Sequence, residues 1–74
     1  MIIEINEIFL AKTPHKSPLE IIMSNPESIV SLMDRLGIKN IGYAIYVVND
    51  LVVEETYLLK NDDKLVLLPT EQDI

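Results

Sequence analysis

The stretch SNPESIVSLMDRLGI, residues 24–38, decides the fold. Ser24 or Asn25 can cap a helix by accepting an orphan backbone N–H, Pro26 suits the first turn, and Glu27 is favoured near the positive end of the helix dipole. Ser24 and Glu27 also have capping-box spacing. Apolar residues follow at Ile29, Leu32, Met33 and Leu36, the i, i+3, i+4, i+7 stripe of one helical face. Gly37 can adopt the left-handed geometry that ends a helix, with Ile38 folding back on Met33. The spacing predicts a helix of about three turns with one buried face. A single stripe must pack on a sheet, which the flanking segments have to supply.

On the N-terminal side, MIIEINEIFL (1–10) reads as a strand with Ile3 and Ile5 on one face. The apolar phase then slips so that Ile8 and Leu10 take over, which fits either a bulge near Asn6 and Glu7 or a strand partly covered on both faces. AKTPHKSP (11–18) is a loop punctuated by Pro14 and Pro18, and LEIIMS (19–24) is a second strand with Leu19, Ile21 and Met23 on one side. Beyond the helix and a connector with Gly42, YAIYVV (43–48) is β-forming and apolar on both faces, as in a central strand. Asn49 and Asp50 carry turn chemistry, LVVEE (51–55) is a shorter strand, and KNDDK (60–64) is a second tight turn. LVLL (65–68) is the last strand, closed by Pro69. The predicted order is β-β-α-β-β-β: an α+β chain in which the apolar first and last strands pair centrally in parallel. That is a ubiquitin-like β-grasp, a mixed sheet of four to five strands with one helix across one face. Residues 1–69 form the single domain and 70–74 a tail.

Seventy-four residues make one small domain that buries around 60% of its unfolded surface. Hydrophobic residues make up 49%, which places the chain among globular proteins rather than disordered ones. There is no cysteine, so disulfides, cysteine-ligated metals and ferredoxin-type clusters are excluded. Six Lys and Arg face twelve Asp and Glu, a net charge of −6 that disfavours nucleic acid and suits a partner with a basic face. No apolar run reaches the roughly 18 residues of a membrane span, and the N-terminus lacks the basic region of a signal peptide, so the expected location is the cytoplasm.

YVVNDLVVEETYLLKNDDKLVLLP (46–69) resembles the second half of the MoaD/ThiS type of sulfur-carrier proteins, the small subunit of molybdopterin synthase and the thiamine-pathway carrier. The points of likeness are Val48–Asn49, Leu58 or Leu59, the Asn61–Asp62–Asp63 turn, the apolar 65–68 run and Pro69. The helix with its Leu36–Gly37–Ile38 ending is also similar to that family's, so the resemblance runs from about Glu27 to Pro69. It implies a β-grasp fold and docking on an activating-enzyme-like or synthase-like subunit. It also implies a terminal Gly-Gly whose carboxylate is adenylated and converted to a thiocarboxylate, glycine leaving room around the reacting carbonyl. Here Asp73 and Ile74 occupy those positions, and the glycines are Gly37 and Gly42 alone. Ile74 crowds the carbonyl with a stiff β-branched side chain, and Asp73 adds an anion where phosphates must approach.

The expected function is therefore a non-catalytic protein-binding module, with no cofactor or metal and no catalytic residue. Self-association through an open edge or face is a further possibility. The alternative is a genuine sulfur carrier with an unusual or modified terminus in molybdopterin, thiamine or thiolation chemistry. The expected interface is the sheet face opposite the helix. Its candidate residues are Tyr43, Ile45 and Val47 on the central strand, Pro69 at the strand end, and Asp73 and Ile74 in the tail. His15 with Lys12 and Lys16, and the Glu54–Glu55 and Asp62–Asp63 pairs, read as solvated loop and turn residues. Adjacent strand residues point to opposite faces, so neither acidic pair converges on an ion.

Overall fold

The computed structural model describes residues 1–10, 16–38 and 44–69. In chain order the elements are β1 (Ile2–Ile5), α1 (Glu7–Leu10), β2 (Leu19–Glu20), β3 (Glu27–Ser28), α2 (Ile29–Leu36), β4 (Ala44–Val48), β5 (Leu51–Val53), β6 (Leu58–Leu59) and β7 (Lys64–Pro69). Five strands form one mixed sheet in the order β2-β1-β7-β4-β5, while β3 and β6 make a separate two-stranded ladder. β1 and β7 run parallel, with Ile2 opposite Lys64 and Ile5 opposite Leu67, as their apolar composition led us to expect. The other pairings are antiparallel.

Alternation along the strands sends Ile3, Ile5, Leu65, Leu67 and Val48 to one face of the sheet. There they are buried with Ile29, Leu32 and Met33 of α2, together with Phe9, Met23, Ile38 and Leu59. Gly37, at φ 76°, closes α2 in left-handed geometry. The Gly37 N–H donates to the Asp34 carbonyl at 3.1 Å and the Ile38 N–H to the Met33 carbonyl at 2.9 Å, the paired bonds of a Schellman ending. Ile38 is buried, so the helix ends as its sequence indicates.

Its start does not. The cap is Ser28, whose Oγ accepts the Ser31 N–H at 3.2 Å, rather than Ser24 or Asn25. Glu27 and Ser28 are held extended by pairing with Leu59 and Leu58, which delays the helix. The Ile29 and Val30 N–H groups then donate to the carbonyls of Tyr57 and Glu55 at 3.1 and 2.9 Å. Orphan donors that local caps were expected to satisfy are satisfied instead by a segment distant in sequence. The Glu27 side chain still serves the helix, accepting from Ser31 Oγ at 2.9 Å and pairing with Arg35 at 2.9 Å. Arg35, followed by Ser31, holds the Glu27 carboxyl below the usual glutamate value.

The first predicted strand is also corrected. It stops at Ile5, because the Asn6 N–H donates to the Leu67 carbonyl and the Phe9 N–H returns to the Asn6 carbonyl at 2.8 Å, closing the short α1. The phase slip is a change from strand to helical period, which carries Phe9 into the core beside Ile5. The second strand is shortened to Leu19–Glu20. Ile21 continues the pairing by donating to the Met1 carbonyl at 2.8 Å, but the Met23 N–H turns to Asn61 Oδ1 at 3.0 Å.

The KNDDK turn is not a solvated one throughout. Asp63 is buried, and its carboxylate accepts from Asn49 Nδ2 at 2.9 Å and from the Lys60 N–H at 2.9 Å. Asn49 in turn takes the Lys64 N–H on its own Oδ1 at 3.1 Å. The turn between β4 and β5 is thereby tied to the turn that precedes β7.

Candidate functional site

The face of the sheet turned away from α2 is built by the residues that alternate with the core. On β4 these are Ile45 and Val47, since Val48 and Tyr46 pack toward the core. The register sets Ile45 beside Leu68, and Val47 between Val66 on β7 and Val52 on β5. Ile45, Val47 and Val66 are half-buried, and Leu68 is 38% exposed. β1 adds Ile2 and Glu4, and Glu4 Oε2 lies 3.1 Å from Lys64 Nζ. That ion pair is half exposed on both sides, so it contributes little stability and mainly makes one border of the face polar.

Two open hollows flank the apolar ridge. One is lined by Glu4, Ser17, Pro18, Val66 and Leu68, the other by Ile45, Val52, Val53, Glu54 and Glu55. Ser17 is fixed there because its Oγ accepts the Ile5 N–H at 2.9 Å. The face offers apolar contact area with carboxylates at its edges. Among the described residues no group of His, Cys, Asp and Glu could hold a metal ion, and no helix is long and apolar enough to cross a membrane.

Of the candidate residues, Ile45 and Val47 are on this face and Pro69 is half-buried at the end of β7, opposite Ala44. Tyr43, Asp73 and Ile74 lie outside the described residues, as do Lys12 and His15. Sequence reading missed Val66, Leu68 and Val52. In a continuous apolar run such as 65–68, nothing local says which alternate residues face out; only the Leu65 and Leu67 packing decides it. The Glu54–Glu55 pair is exposed as expected, but its carbonyls accept the Tyr57 and Val30 N–H groups.

Tyr46 is on the opposite side, packed against the core, and burial together with the nearby Glu55 carboxylate pushes its phenol above the usual tyrosine value. Ionisation is therefore harder in the folded state, and the corresponding stability is present below pH ~10 and lost as pH rises through the higher folded value. Denaturant unfolding of wild type and Tyr46→Phe between neutral and strongly alkaline pH should show a steeper alkaline loss for wild type. Parallel curves would mean that Tyr46 is no more shielded than in the unfolded chain.

No family model matches the sequence, and no curated protein matches it.

Proposed function

We propose that this chain is a ubiquitin-like β-grasp protein of the MoaD/ThiS kind that acts as a non-catalytic protein-binding module through the outer face of its sheet. The observation that carries the reading is the apolar ridge of Ile45, Val47, Val66 and Leu68 on the side away from α2. The β2-β1-β7-β4-β5 order, with a parallel central pair and the helix packed on one side, supports the fold name. The partner in this reading is a protein, an activating-enzyme-like or synthase-like subunit with a complementary apolar face and a basic rim that suits net −6.

The test is affinity capture from the native host with intact-mass analysis, for wild type and Leu68→Asp. The expected result is an unmodified chain in a stable complex that the substitution abolishes, because a carboxylate would be buried without a partner. Capture unaffected by Leu68→Asp would remove the face from the interface. A thiocarboxylate or a covalent conjugate on the recovered protein would make it an active carrier instead.

A further inference from the structure

β5 is the last strand of the five-stranded sheet, and its outer side pairs with no strand among the described residues. The residues before it, Asn49 and Asp50, have φ of 49° and 70°, the geometry of a two-residue type I′ hairpin. In such a hairpin the flanking residues, here Val48 and Leu51, form the hydrogen-bonded pair. The next pair, Val47 and Val52, is then the non-hydrogen-bonded one, so the Val52 N–H and C=O point away from β4 and out of the sheet edge. The Val52 side chain is 74% exposed beside them.

Charge selects among the possible occupants. Asp50 lies in the hairpin turn and Glu54 just beyond β5, so an antiparallel pairing of two copies centred on Val52 brings Asp50 of each near Glu54 of the other, where like charges disfavour approach. Each copy also carries net −6. An antiparallel segment with an apolar residue opposite Val52, and Lys or Arg two positions to either side, meets the same carboxylates with the opposite sign. We propose that the β5 edge captures an extended basic segment of the pattern basic–x–apolar–x–basic, added to the sheet through the Val52 backbone. The Val52 side chain also borders the outer face, so the proposal adds backbone pairing at the sheet edge to that surface, and it rests on the geometry of the edge rather than on what the outer face binds.

The test titrates the ¹⁵N-labelled full chain with a blocked peptide, Thr-Thr-Lys-Thr-Val-Thr-Lys-Thr-Thr, and with its analogue carrying Glu for both Lys. The Lys peptide should shift the Val52 and Glu54 amide resonances. Binding should weaken at least about tenfold for the Glu peptide, for a Lys peptide N-methylated at the central Val, and for Val52→Pro. Val52→Pro removes only an N–H that β4 does not use, a position where an edge strand tolerates proline. If that variant does not fold, the N-methylated peptide on wild type tests the same hydrogen bonds. Absence of binding, equal binding of the Lys and Glu peptides, or shifts centred on Val66 and Leu68 instead of β5 would each overturn the proposal.

Discussion

Leu67→Ala should bring the protein close to unfolding, while Leu68→Ala, one residue on, should be tolerated. Leu67 is fully buried on β7 between Ile5 and Tyr46, with the helix side of the core packed on it. Truncating a buried leucine costs about 2–5 kcal/mol, the transfer free energy plus that of the cavity left behind. A chain of 74 residues has a total stability of only about 4–11 kcal/mol at ordinary values per residue. The melting temperature should therefore fall by at least about 10 °C. Leu68 points to the outer face and is 38% exposed, so its truncation should cost roughly 1 kcal/mol or less. Thermal melts followed by circular dichroism separate the two. A reversed order, with Leu68→Ala the costlier, would mean that the assignment of faces on β7 is wrong by one residue, since a single-residue slip exchanges every inward and outward side chain.

The second large effect is expected at Asp63. Removing its carboxylate in Asp63→Ala leaves the Lys60 N–H and Asn49 Nδ2 without their acceptors. A donor left without its partner costs up to roughly 1–3 kcal/mol when buried, and these two are partly buried, so the substitution should cost about 2–3 kcal/mol in urea unfolding. Asn49→Ala should cost a comparable amount, because it removes one bond to Asp63 and one from the Lys64 N–H and also places alanine at the left-handed φ of 49°. The double variant should be more stable than the sum of the singles by about 0.5–3 kcal/mol, since the two side chains share one network. Simple additivity would show that the turns at either end of β4–β5 and β7 are held by the backbone alone.

These two positions also explain how the outer face is presented. Asp63 and Asn49 join the two turns at one end of the sheet, fixing where β7 begins relative to β4. Leu65 and Leu67 then commit that strand to one orientation, which leaves Val66 and Leu68 on the outside with Ile45 and Val47. Loss of either anchor should therefore disturb the outer face even though neither side chain lies on it.

The end of α2, the central parallel pair and the hairpin at Asn49–Asp50 were legible in the residues themselves. Gly37, the run of β-branched residues in β4 and the apolar strands at either end act through local backbone preference and period, which a sequence displays directly. The late start of α2, the ladder of β3 with β6 and the burial of Asp63 were not legible. Each depends on groups roughly 15–30 residues apart along the chain, as when the carbonyls of Glu55 and Tyr57 take the helix's first donors. Local capping at Ser24 was a sound expectation that lost to a long-range ladder, which holds Glu27 and Ser28 extended and moves the cap to Ser28. The outer face had the same fate. The residues 65–68 say only that a strand is apolar on both sides, and the packing of α2 onto one of them decides which side is left facing outward.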